Sequence, residues 1–363
     1  MRKKLRELGL SIGVHPTGHN NNITDVPGVK VGHFTLWEED EEGRSLRTGV
    51  TAILPHEGNL FQEKVLGASY VINGFGKTIG LVQLEELGTI EAPIMLTNTF
   101  SVGAVLEGTL QYMLTQNPQI GETTGTINTI VGECNDSYLN HIRGMKIKPN
   151  HAIAALNNAK AGIILEGSVG AGTGMTCFGW KGGIGSASRK IDLDSQDFMM
   201  GALVLSNFGK KEELLFKGFP VADFFSEEVE VKSLNFQEQP RDGSIIIVIA
   251  TDLPLSERQL KRISKRATVG LARTGSHIHH GSGDIVIAFT NSHKIAHEGS
   301  GLHIIKQVSE NKMNLFFDVV AELVEEAIWN SLLTATTVIG DKERIREELP
   351  VHKLITHLSP MKK

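Results

Sequence analysis

Asp242-Gly-Ser-Ile-Ile-Ile-Val-Ile-Ala-Thr-Asp252 carries a sharp change of environment. Before it, residues 226–243 are polar and acidic (Glu227, Glu228, Glu230, Gln237, Glu238, Gln239, Pro240, Arg241, Asp242) and lack apolar periodicity, which reads as an exposed loop. After it, residues 245–250 are apolar and largely β-branched at consecutive positions, as in a strand covered on both faces. The chain therefore passes from solvent into a core at Gly243–Ser244. Next, Ser256-Glu-Arg-Gln259 forms a capping box with Leu255 and Leu260 as a hydrophobic staple, and Leu260, Ile263, Ala267 and Leu271 continue one helical face.

Working outward, residues 284–290 predict a second buried strand, and Phe316, Val320, Leu323, Ala327 and Ile328 predict a long amphipathic helix near the C-terminus. Residues 49–54, 162–165 and 202–205 read as short strands, and residues 102–115 and 136–142 as helices. The pattern is mixed α/β, with apolar strands that need covering layers. No repeat or Pro/Ser-rich linker divides the 363 residues, and 39 glycines are spread along them as turns. One large domain and two smaller ones both fit this length.

Composition excludes several classes. The net charge is −5 and the Lys and Arg residues are interspersed with acids, so neither nucleic acid nor an anionic membrane is an expected partner. The strongly apolar run of residues 245–250 is far shorter than the roughly 20 residues that cross a bilayer. The basic opening, Met-Arg-Lys-Lys, leads to Glu7, Gly9 and His15 instead of the apolar core of a signal peptide, which predicts a cytoplasmic protein. Cys134 and Cys177 are the two cysteines, too few for a disulfide framework.

Nucleotide motifs fail on spacing. Gly76-Lys77-Thr78 resembles the end of a phosphate loop, but Val71 stands where the leading glycine belongs, and Gly170-Ala-Gly172-Thr-Gly174 has Met175 or Cys177 where a dinucleotide fingerprint needs its third glycine. Neither a Gly-x-Ser-x-Gly elbow nor a His-Glu-x-x-His helix occurs. His277, His279 and His280 form the densest histidine group. They read as a solvated loop, the alternative being a metal site lacking further ligands at suitable spacing. No cofactor or metal is expected.

Gly-Ser pairs occur six times, so the pair at 243–244 stands out only by its context. A serine hydroxyl needs a neighbouring base, and an α-amino group with an ordinary pKa of about 7.7–8.0 can serve near neutral pH. An N-terminal serine held at the start of a buried strand would carry its own base; the alternative for Ser244 is a cap or turn residue.

Seven ordered blocks give these features a family context: Asn22-Ile-Thr-Asp-Val-Pro-Gly-Val-Lys-Val-Gly-His33, Arg47-Thr-Gly-Val-Thr-Ala-Ile53, Leu96-Thr-Asn-Thr-Phe-Ser-Val-Gly103, Val131-Gly-Glu-Cys-Asn-Asp136, Gly167-Ser-Val-Gly-Ala-Gly-Thr-Gly174, Asp242 to Asp252, and Gly281-Ser-Gly-Asp-Ile285. In these blocks the chain resembles the self-processing L-aminopeptidase/D-esterase and β-peptidyl aminopeptidase family. The resemblance implies a four-layer α/β/β/α sandwich of the N-terminal-nucleophile hydrolase kind. It implies one catalytic domain over residues 1–363, self-cleaved into residues 1–243 and 244–363, and a homo-oligomer, expected to be a tetramer. By motif, Ser244 is similar to the nucleophile of the Gly-Ser processing site, and Ser282 with Asp284 to its assisting pair. Glu133 is similar to the acid that receives the substrate's amino group, and Asn207, in Leu205-Ser-Asn-Phe-Gly209, to the amide donor to the oxyanion. The implied substrates are short peptides and aminoacyl amides or esters.

Each residue has a plainer reading as well: Asn207 as a turn residue, Ser282 as a loop hydrogen bond, Glu133 as a helix-end acid. His277-Ile-His-His280 and Cys134 depart from the family's expected pattern. A related acyltransferase of the ornithine acetyltransferase type is the rival enzyme, expected to use threonine after alanine, which Gly243–Ser244 argues against. A rival of another class is an unprocessed, non-catalytic relative that binds or assembles.

Overall fold

The computed structural model describes residues 2–224, 243–299 and 301–358. The polar stretch read as an exposed loop lies, up to residue 242, outside the described residues.

Strands are numbered here as β1 (Lys30–Glu39), β2 (Ser45–Leu54), β3 (Glu63–Gly74), β4 (Thr89–Ile90), β5 (Ile94–Asn98), β6 (Ile130–Cys134), β7 (Gly183–Leu193), β8 (Gln196–Asn207), β9 (Ser244–Thr251) and β10 (Gly283–Ala296). The helices are α1 (Leu81–Leu87), α2 (Val102–Gln116), α3 (Pro149–Asn157), α4 (Glu257–Arg273), α5 (Met313–Thr334) and α6 (Val351–Leu358).

All eight residues of β9 are buried, and its two faces enter different cores. Ile245, Ile247 and Ile249 meet α4 and α5 through Leu260, Ile263, Phe316 and Val320. Ile246, Val248 and Ala250 meet a second sheet through Ile94, Leu96 and Ile130. Each of these buried isoleucine and valine side chains contributes about 1.5–3 kcal/mol of transfer free energy. The strand lies inside a six-stranded sheet of order β4-β3-β10-β9-β8-β7, and the second sheet has order β1-β2-β5-β6. The outer face of that second sheet is covered by α2 and α3 through Val102, Val105, Ala152 and Ala155. Helices, sheet, sheet and helices thus form the α/β/β/α sandwich expected from the sequence.

Local chemistry sets the connections. β9 and β10 are parallel, so the chain must cross over between them, and α4 makes that crossover. Its start is the capping box read from sequence: Ser256 Oγ accepts from Gln259 N–H, and Gln259 Oε1 accepts from Ser256 N–H. Gly270 allows α4 to approach α5, since a β-carbon there would lie 2.5 Å from the Ala321 carbonyl oxygen.

Three elements differ from the sequence reading. Residues 162–165 are irregular: Gly162 takes φ +86°, its carbonyl accepts side-chain bonds from Asn22 and Thr24, and Ile163 and Leu165 are exposed. Residues 136–142 form a turn and not a helix. Asp136 is turned inward onto Asn140 Nδ2, while Asn140 Oδ1 accepts from Arg47 N–H, and such side-chain bonds compete with helical ones. Lastly, α5 is buried on its polar side as well, because the N-terminal segment covers it. Arg6 and the buried Arg189 bind Glu326, Arg189 also binds Glu322, and Leu5 N–H donates to Asn330 Oδ1. Among the described residues no helix is long and apolar enough to cross a membrane.

Candidate active site

Three neighbouring strand ends bring the sequence-derived residues together. Asn207, last in β8, stands opposite Ser244, first in β9, and Ser244 stands opposite Gly283, first in β10. Ser244 shares the inward face of β9 with Ile246 and Val248, so its side chain belongs to the layer between the sheets. Its Oγ donates to the Gly243 carbonyl oxygen at 2.7 Å. Gly283 N–H donates to both that carbonyl oxygen and Ser244 Oγ, at 3.2 Å each. A hydroxyl and a backbone donor thus converge on the carbonyl preceding Ser244. Gly283 is required there, because a β-carbon would lie 2.6 Å from the Phe75 carbonyl oxygen.

Ser282 and Asp284 flank Gly283 and bond to one another, Ser282 Oγ donating to Asp284 Oδ1 at 2.6 Å. Their link to Ser244 is through backbone: Gly283 N–H on Ser244 itself, and Ile245 N–H on the Asp284 carboxylate. Asp284 Oδ2 is buried without a partner, and burial pushes this carboxyl up to about 6 despite the bonds from Ser282 and Ile245.

Asn207 is fixed at both ends of its carboxamide. Oδ1 accepts from Thr176 N–H at 2.9 Å, and Nδ2 donates to the Asn135 carbonyl oxygen at 2.9 Å, which leaves one Nδ2 hydrogen uncommitted. Glu133 comes from the other sheet, near the end of β6. Its Oε1 accepts from Lys77 N–H at 2.7 Å and its Oε2 from Thr99 Oγ1, which leaves carboxylate lone pairs for a further donor. Gly76 separates this acid from β10: a β-carbon there would lie 3.1 Å from Glu133 Oε1 and 3.8 Å from Gly283 Cα. With glycine, no side chain fills the space between Glu133 and the start of β10.

The match to known proteins is consistent over the whole chain. The family model described as peptidase family S58 matches residues 21–346. The chain is 36% identical to a β-peptidyl aminopeptidase of Sphingosinicella microcystinivorans, over 96% of this chain and 89% of that protein. It belongs to peptidase family S58.

Solved structures agree. A β-aminopeptidase of Burkholderia superposes with a TM-score of 0.89 at 36% identity, covering 100% of this chain and 99% of that one. The L-aminopeptidase D-Ala-esterase/amidase of Ochrobactrum anthropi, described as a variant of the Ntn hydrolase fold, gives 0.90 at 33% identity, covering 99% and 98%. This S58 peptidase is therefore a hydrolase of the aminopeptidase kind, and the acyltransferase reading is not favoured.

The family context leaves two departures to place. Cys134 points away from Glu133 into the layer between the sheets, where its Sγ donates to the Leu205 carbonyl oxygen and burial holds its pKa well above the ordinary thiol value. It is an inert packing group in this S58 site. The segment 276–282 is a loop in which His277 and His280 are exposed and His279 Nε2 lies 3.0 Å from Glu213 Oε1. Among the described residues no group of three or more His, Cys, Asp or Glu side chains is arranged to hold a metal ion. Sequence reasoning missed the residues that hold the site together. Asn73 Nδ2 donates to the carbonyls of His279, His280 and Ser282, Thr99 holds Glu133, and Thr176 holds Asn207. Thr99 stood within a recognised block, whereas Asn73 and Thr176 gave no local signal.

Proposed function

We propose that this S58 aminopeptidase cleaves its own chain at Gly243–Ser244 and then uses Ser244, with its freed α-amine as base, to remove residues from the amino end of short peptides, amides or esters. The observation that carries the reading is the convergence of Ser244 Oγ and Gly283 N–H on the Gly243 carbonyl. In the first event the hydroxyl adds to that carbonyl carbon, with Gly283 N–H positioned for the developing oxyanion. The C–N bond breaks as the hydroxyl proton passes to the Ser244 nitrogen, leaving an ester on Ser244 Oγ, and water hydrolyses it to a Gly243 carboxylate and the free hydroxyl, with the Ser244 amine already released. The two products are residues 1–243 and 244–363, which remain parts of one catalytic domain.

In turnover the amine takes the hydroxyl proton as Oγ attacks the substrate carbonyl and returns it to the leaving amine; water, deprotonated by the same amine, then hydrolyses the acyl-serine and restores the hydroxyl. Asn207 offers its uncommitted Nδ2 hydrogen to the oxyanion, and Glu133 pairs with the substrate's terminal ammonium. Ser282 and Asp284 support the nucleophile through Gly283 and Ile245. Substrates that begin with β-amino acids fall within this reading, since relatives are named for them. A homotetramer in the cytoplasm is the assembly and location that accompany it.

Intact-mass measurement tests the reading. Wild-type protein is expected as two pieces ending and beginning at Gly243 and Ser244. Ser244→Ala is expected as one chain without peptidase activity. An uncut wild-type chain that hydrolyses peptides refutes the mechanism.

A further inference from the structure

Lys181 is a buried cation that the mechanism above does not use. It is fully buried, and its Nζ donates to the carbonyl oxygens of Gly172 at 2.9 Å, Met175 at 2.8 Å and Gly182 at 2.8 Å. All three ammonium hydrogens are thereby committed, and among the described residues no carboxylate forms an ion pair with it. Burying an ammonium without a counter-charge is expensive, and a methionine of similar length would fill the space without that penalty. The position of the three carbonyls says what the charge does.

The Met175 carbonyl and the Thr176 N–H belong to one peptide group. Lys181 Nζ binds the oxygen of that group, and its N–H binds Asn207 Oδ1 at 2.9 Å. The chain of contacts runs from ammonium to peptide to carboxamide, and the carboxamide stands opposite Ser244 in the sheet. A cation on the peptide oxygen draws charge from its N–H, which becomes a stronger donor. That N–H in turn polarises the carboxamide and makes its Nδ2–H a stronger donor. The Gly172 and Gly182 carbonyls fix the rest of the turn. Gly182 admits no side chain, because a β-carbon would lie 2.6 Å from Cys177 Cβ and 2.9 Å from the Ser206 carbonyl oxygen.

We infer that Lys181 is a positioning residue for catalysis, orienting and polarising the Asn207 carboxamide through the Met175–Thr176 peptide group. The inference rests on the reading of Asn207 as an oxyanion donor, and deepens it. Burial lowers Lys181 to about 7, so its charge is lost as pH rises past neutrality. The titratable groups that face it are Asp136, whose negative form favours the ammonium, and Cys177, pushed up to about 12 and hence a neutral thiol.

The test is a double-mutant cycle on chains that mass spectrometry shows to be cleaved: Asn207→Ala, Lys181→Met and the pair. Asn207→Ala is expected to lower kcat about 10²–10³-fold. Lys181→Met is expected to lower it roughly tenfold with KM changed less than about threefold, and to add less than about twofold in the Asn207→Ala background. Lys181→Gln, which keeps a donor for the Met175 carbonyl but no charge, should resemble Lys181→Met, and it serves if that variant does not fold. Undiminished kcat in Asn207→Ala removes the oxyanion reading and the inference with it. A full kcat loss in Asn207→Ala combined with unchanged kcat in a folded Lys181 variant, or with additive losses in the pair, overturns the inference alone.

Discussion

If the chain cleaves itself at Gly243–Ser244, replacing Gly243 by alanine should separate that step from peptide turnover. A β-carbon at residue 243 would lie 2.5 Å from Phe208 Cα, 2.7 Å from Phe208 Cβ and 2.8 Å from the Asn207 carbonyl oxygen. Two of these three neighbours are backbone atoms, so no rotamer change relieves the overlap, and an ordinary contact requires a shift of about 1 Å at the start of β9. The carbonyl that moves is the one that accepts Ser244 Oγ at 2.7 Å and Gly283 N–H at 3.2 Å. A misplacement of about 1 Å in a reacting pair slows reaction roughly 10²-fold. Gly243→Ala is therefore expected to self-cleave about a hundred times more slowly than wild type, followed by mass spectrometry of samples withdrawn during cell-free synthesis. Molecules that do cleave should hydrolyse peptides with kcat within about threefold of wild type, because residue 243 takes no part in turnover. Cleavage of Gly243→Ala at the wild-type rate refutes the close-packed geometry assigned to the scissile bond.

If Glu133 receives the substrate ammonium, N-acetylated peptides are expected to be poor substrates, and Glu133→Ala should raise KM for free peptides at least tenfold while leaving chain cleavage intact. Equal turnover of free and acetylated peptides by the wild-type enzyme removes this role. Asp284 gives a stability prediction. Its carboxyl, raised to about 6 in the folded protein, holds a proton that the unfolded chain releases near pH 4, so its contribution is complete below pH 4 and lost as pH rises through about 6. The loss amounts to about 3 kcal/mol. Asp136, raised to about 7 by burial, adds a slope of the same sign, so the decisive quantity is the difference between wild type and Asp284→Asn in denaturant titrations from pH 4 to 7. Identical slopes for the two proteins contradict the assignment.

The accuracy of the sequence reading followed the range of the interactions involved. For β9 and α4 the signals were local: a run of β-branched residues, a capping box and a 3.6-residue apolar period. Residues 136–142 and 162–165 failed because their bonds go to groups distant in sequence: the Asn140 and Asp136 side chains meet Arg47 N–H and Thr48, and the Gly162 carbonyl accepts from the Asn22 and Thr24 side chains. α5 was legible as an amphipathic helix, but the burial of its acidic face was not. Arg189 and the segment around Arg6, both far away in the chain, bury it.

For the site, the residue blocks pointed to Ser244, Ser282, Asp284 and Glu133 as candidates and the Leu205–Gly209 motif to Asn207, and the environment change at Gly243–Ser244 picked one Gly-Ser pair out of six. By itself, then, the sequence determined the family, the layered α/β class and the residue types of the candidate site, because these depend on local pattern and motif. Tertiary structure alone decided that three strand ends align Asn207, Ser244 and Gly283, that Glu133 faces them across Gly76 from a second sheet, and that Lys181 stands behind Asn207 through a single peptide group. Those relations arise from strand register and from the packing of one sheet on another, which bring together residues that no local pattern connects.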